Sequence, residues 1–66
     1  MYMAIIYGYT EIFAFSADMD KAKKKALRKK KELCSGDLEK WTWETVSDYY
    51  GARVFLVTEG LVMVDN

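Results

Sequence analysis

The stretch Asp37-Leu38-Glu39-Lys40-Trp41-Thr42-Trp43-Glu44-Thr45-Val46-Ser47-Asp48-Tyr49-Tyr50-Gly51 admits two readings, and they give different folds. As a strand, residues 40–46 combine aromatic and β-branched side chains of high β propensity. As a helix, Asp37 caps the start, Gly51 closes the end, and Leu38, Trp41, Thr42, Thr45, Val46 and Tyr49 share a face. The ending Ser47-Asp48-Tyr49-Tyr50-Gly51-Ala52 favours the helix, because it matches a last turn closed by glycine that leads into a strand. A helix over 37–50 is the expectation.

Working back toward the N-terminus, Ser16-Ala17-Asp18 opens a second helical pattern. Ser16 or Asp18 can cap it, and Asp18 and Asp20 put negative charge at the positive end of the helix dipole. Residues 19–33 contain no Gly, Pro or β-branched side chain, and Ser35-Gly36 ends the pattern. At about 100° per residue, Met19, Ala22, Ala26, Leu27, Leu33 and Cys34 fall on one side of this basic helix, 19–34. Lys21, Lys24, Lys25, Arg28 and Lys31 fall on the other, while Lys23 and Lys30 lie within the apolar arc and are expected to snorkel.

Before the helix, residues 2–7 and 10–15 read as strands around Gly8-Tyr9. A two-residue type II′ turn wants glycine first, so turn chemistry favours a tight hairpin over one long strand bulged at Gly8. That register puts Tyr2, Ala4, Ile6, Glu11, Phe13 and Phe15 on one face, and Met3, Ile5, Tyr7, Thr10, Ile12 and Ala14 on the other. Residues 52–57 and 61–64 form a second hairpin, in which Thr58-Glu59-Gly60 fits a type I turn followed by a left-handed glycine. The fold class is α+β: a single small domain over 1–66 in the order ββααββ. Its two hairpins form an antiparallel or mixed sheet with both helices on one face.

Composition narrows the function. The chain of 66 residues has no histidine and one cysteine, Cys34. It can form no internal disulfide and no His- or paired-Cys metal site, so no metal or cofactor is expected. Without histidine there is no ordinary general base near neutral pH, and the four glycines match no nucleotide-binding loop. Carboxylate pairs such as Asp18/Asp20 and Glu39/Glu44 are what a chain with 30% charged residues contains by chance. The expectation is a protein that is not an enzyme. Cys34 reads as a small buried hydrophobe at the negative end of a helix dipole, not as a reactive thiol. The N-terminus lacks a basic leader, and no segment approaches the ~20 apolar residues of a membrane span. A free thiol without an export signal points to the cytoplasm, and no membrane partner is expected.

Charge is unevenly spread. Ten Lys/Arg balance ten Asp/Glu, yet eight of the cations lie within Lys21–Lys31. Residues 1–17 carry −1, residues 18–31 carry +6 and residues 32–66 carry −5. The ridge Lys21, Lys24, Lys25, Arg28 and Lys31 spans roughly 15 Å and is a candidate electrostatic contact surface. It could follow phosphates of a nucleic acid, with Tyr7, Tyr9, Trp41, Trp43, Tyr49 or Tyr50 as stacking platforms for a single strand. A sequence pI near 6.2 weighs against that, since nucleic-acid domains usually exceed about 9. A solvated face, or contact with an acidic protein surface, fits better. Asp37, Glu44 and Asp48 supply a candidate acidic counter-surface on the second helix.

The strands do not alternate apolar and polar residues. Arg53 is the one charge in 52–57, and 61–64 has none. Two short helices cover one face of such a sheet, so the other is expected to remain apolar and exposed. A small core also needs help from a partner. A homodimer is therefore expected, packed sheet to sheet or along an edge strand, with Tyr2, Ile6, Phe13, Phe15, Phe55 and Met63 as the candidate self-association face. The function that follows is a small non-catalytic interaction or accessory protein, with weakly sequence-specific nucleic-acid binding through the basic helix as the alternative.

Overall fold

A computed structural model describes residues 1–33 and 40–65 of the chain. Strands β1 (Tyr2–Ile6) and β2 (Ile12–Ser16) are followed by helices α1 (Met19–Leu33) and α2 (Trp43–Tyr50), then by β3 (Ala52–Val57) and β4 (Leu61–Asp65). The expected order holds. The four strands form one sheet, β2-β1-β3-β4, antiparallel at every pairing, with β2 and β4 at its edges.

Local chemistry explains where α1 begins. The Asp18 Oδ1 accepts from the backbone N–H of Asp20 at 2.9 Å and of Lys21 at 3.3 Å, and the Asp18 carbonyl accepts from Ala22 at 3.0 Å. Asp18 is thus the cap, and it satisfies donors that a helix N-terminus otherwise leaves open. Helix α2 is shorter than expected. Thr42, extended at φ −98° and ψ 171°, caps it by accepting from the Thr45 N–H, so Trp41 lies outside the helix. The expected Asp37 cap lies outside the described residues, as do Cys34, Gly36, Leu38 and Glu39. At the other end Gly51 closes α2 as expected, with φ 85° and its N–H donating to the Ser47 carbonyl at 2.9 Å.

The first hairpin departs from the expected register. Residues 7–11 connect the strands, and Tyr2 pairs with Ser16, Ala4 with Ala14 and Ile6 with Ile12. A longer loop shifts β2 by one position, and because side chains alternate along a strand, a one-residue shift exchanges its faces. Ile12 and Ala14 therefore join Tyr2, Ala4 and Ile6 under the helices, while Phe13 and Phe15 turn to the opposite face. In the second hairpin the loop 58–60 is held by Thr58 N–H donating to the Gly60 carbonyl at 3.0 Å. Gly60 does not adopt the left-handed conformation expected of it; positive φ among the described glycines occurs at Gly8 and Gly51.

The core is thin and rich in small residues. Ala4, Ile6, Ile12, Ala14, Ala22, Ala26, Val46, Ala52 and Val54 are buried between the sheet and the helices, and the largest fully buried side chains are Ile6, Val46 and Val54. Alanines on both α1 and the sheet let the helix lie close over β1 and β2. Helix α2 packs over β3 and β1. Strand β4 lies beyond both, tied to α1 by an ion pair between Lys23 and Asp65.

Candidate interaction surface

Among the described residues, one sheet face carries both helices and the other carries none. The pairings define that open face row by row. Phe15, Met3, Phe55 and Met63 lie opposite one another across all four strands. Beside them run a row of Phe13, Ile5 and Arg53 and the pair Val57 and Leu61. Among these nine residues Arg53 is the single charge, and its guanidinium lies 6.0 Å from the ring centre of Tyr7. Phe13, Phe15, Leu61 and Met63 are between 41 and 59% exposed. Contiguous apolar surface of this kind marks interaction sites in soluble proteins.

Of the six residues expected to form the self-association face, Phe13, Phe15, Phe55 and Met63 share this surface. Tyr2 and Ile6 do not. Ile6 is fully buried under the helices, and Tyr2 packs against the same core from its margin. The cause is the one-residue register shift, which separates the β1 residues from the β2 phenylalanines. Met3, Ile5, Arg53, Val57 and Leu61 belong to the face and were missed. The alternation of β1 with its partner strand points to Met3 once the pairing is known.

The basic ridge is partly drawn into the fold. Lys21, Lys24, Lys25 and Arg28 are exposed and Lys31 is half-buried. The Lys25 Nζ donates to the Phe15 carbonyl at 3.2 Å, and the neighbouring Lys29 donates to the Phe13 carbonyl at 2.8 Å. Lys23 and Lys30 occupy the apolar arc, but Lys30 does not snorkel to solvent as expected; it is buried beneath the Tyr50 ring. Lys23 reaches Asp65 across Trp43, whose ring centre is 5.8 Å from the Nζ. Lys30 is 4% exposed, and its Nζ lies 3.9 Å from the ring centre of Tyr50, a cation–π geometry. Of the acidic counter-surface, Glu44 and Asp48 are exposed one turn apart on α2, and Asp37 lies outside the described residues.

Three of the six candidate stacking residues are engaged with each other. Tyr49 stands 4.7 Å from Tyr50 and 5.3 Å from Trp41, edge to face in both cases, and Trp41 lies 5.9 Å from Tyr50. Trp43 packs against the core, and Tyr9 projects fully into solvent. Among the described residues no cluster of acidic or sulfur side chains has the geometry to hold a metal ion, and no helix is long and apolar enough to cross a membrane. No family model matches the chain, nor does any curated protein or solved structure.

Proposed function

We propose that this chain is a small non-catalytic interaction protein that associates with itself through the open face of its sheet. The observation that carries the reading is the row Phe15, Met3, Phe55 and Met63, which crosses the sheet without a polar residue and has no helix over it among the described residues. Burying apolar surface is worth about 25 cal/mol per Å², and a core whose largest fully buried members are Ile6, Val46 and Val54 leaves much of that gain unused within one chain. A cytoplasmic setting fits the single cysteine, which has no partner within the chain for a disulfide.

The test is the mass of the protein in solution. Sedimentation at tens of micromolar should show an oligomer, and Phe15→Glu, which sets a carboxylate on the β2 end of the apolar row, should lower the mass while leaving the far-UV CD spectrum unchanged. A monodisperse monomer for the unaltered chain overturns the reading.

A second reading rests on Lys21, Lys24 and Arg28, which stay exposed along α1. Three such cations can follow a phosphate backbone with little sequence information. Fluorescence anisotropy with a labelled oligonucleotide should then show affinity falling log-linearly with salt and lost in Lys24→Glu/Arg28→Glu. Binding that ignores this pair of substitutions sinks it.

A further inference from the structure

The two edges of the sheet are finished differently. On β2 the outward carbonyls of Phe13 and Phe15 each accept from a lysine ammonium, Lys29 at 2.8 Å and Lys25 at 3.2 Å. A strand approaching that edge would have to displace charge, a common protection against unwanted pairing. On β4 no described side chain plays this part. Val62 lies opposite Leu56, and Thr58 bonds inward to Gly60. By the alternation of an antiparallel ladder, Leu61 and Met63 then aim their N–H and C=O groups outward. Leu61, Val62, Met63 and Val64 are 59, 55, 51 and 43% exposed, and none of them is charged.

We infer that a second copy of the chain pairs antiparallel along β4, with Val62 facing Val62 across a two-fold axis and Leu61 opposite Met63. This rests on the self-association proposed above and says along which seam the copies join. The register follows from the backbone. It sets the outward groups of Leu61 and Met63 against their counterparts, for about four hydrogen bonds. It also keeps Leu61 and Met63 together on the open face, and Val62 with its counterpart on the helix side. Slipping by one residue would set outward groups against inward ones.

Size points the same way. Nine residues of open face fall well short of the roughly 20–30 per side of a stable interface. Pairing along β4 lays two such faces side by side, nine residues from each copy. The row Phe15, Met3, Phe55 and Met63 then runs on into Leu61 and Val57 of the second copy. The edge-joined pair is the unit whose open face packs on another like it, and the assembly is a tetramer.

Native mass spectrometry and sedimentation on the full chain test this with two edge variants. Val62→Lys puts two ammonium groups opposite each other at the axis without touching the open face. A synthetic chain N-methylated at the Leu61 amide keeps every side chain and removes one outward donor. The unaltered chain should be a tetramer, both edge variants should lose the β4 seam and run at half the mass or less, and Phe15→Glu should leave the edge-joined dimer. Hydrogen exchange on the unaltered chain should show the Leu61 and Met63 amides protected in a concentration-dependent way. An oligomer whose mass is unchanged by either edge variant, or exchange at unprotected rates at those amides, overturns the edge pairing. If Phe15→Glu still dissociates that oligomer, the open-face reading stands alone. An oligomer split by the edge variants but indifferent to Phe15→Glu keeps the edge pairing and overturns the open-face reading. A monomer at all concentrations overturns both.

Discussion

Gly8 shows how one residue sets a register. Its φ of 142° lies where side chains other than hydrogen are strained, and a Cβ there would sit 3.2 Å from both the Lys30 Nζ and the Tyr50 Cδ1. The glycine therefore lets the loop lie against a lysine that is itself 4% exposed and capped by the Tyr50 ring. Gly8→Ala should destabilise the protein by about 1–3 kcal/mol from backbone strain, read as a lowered denaturant midpoint with an unchanged m-value. No loss in the midpoint would mean that the loop relaxes freely. The same contact explains why the loop was illegible in sequence. A glycine between two strands suggests a tight turn, but this one serves a packing against α1 and α2, and no local pattern encodes a contact with residues so far along the chain.

At the scale of elements, legibility follows how local the determinants are. Helix α1 was readable over Met19–Leu33 because its composition and most of its apolar stripe lie within its own residues, while the choice of cap between Ser16 and Asp18 stayed open. Asp18→Ala should cost about 1 kcal/mol, within a range of 0.5–2, measurable by urea denaturation, because Asp18 accepts from both Asp20 and Lys21. Replacement by Asn should restore most of it, and an equal loss in both variants would assign the effect to charge instead of capping. The start of α2 was less readable. Thr42 caps as well as Asp37 could, and the choice among polar candidates in that segment depends on how Trp41 packs against Tyr49 and Tyr50. For the open face, the scarcity of charge in residues 52–57 and 61–64 gave Phe55 and Met63, and the same scarcity in residues 2–15 brought in Phe13 and Phe15. The error with Tyr2 and Ile6 came from one residue of loop length, which is enough to exchange the faces of a strand.

For the molecule as a whole, the neutral total hides a cationic helix over β2 and, at the opposite edge, a strand without charge from Leu61 to Val64. This asymmetry bears on how far assembly can go. An isologous seam along β4 consumes that edge in both copies, and the strands left outermost are the two β2, each with lysines on its outward carbonyls. Growth therefore stops by construction, and a sheet-forming protein with an apolar face stays a particle of fixed size, not a fibre. Lys25→Ser/Lys29→Ser removes the stop without touching the core. That variant should convert the finite species into elongated, thioflavin-binding aggregates at concentrations where the unaltered chain stays discrete. If it remains discrete, the lysines only tether the helix to the strand. On this account the two ammonium groups do for the assembly what a capping repeat does for a solenoid, and they define its last strand.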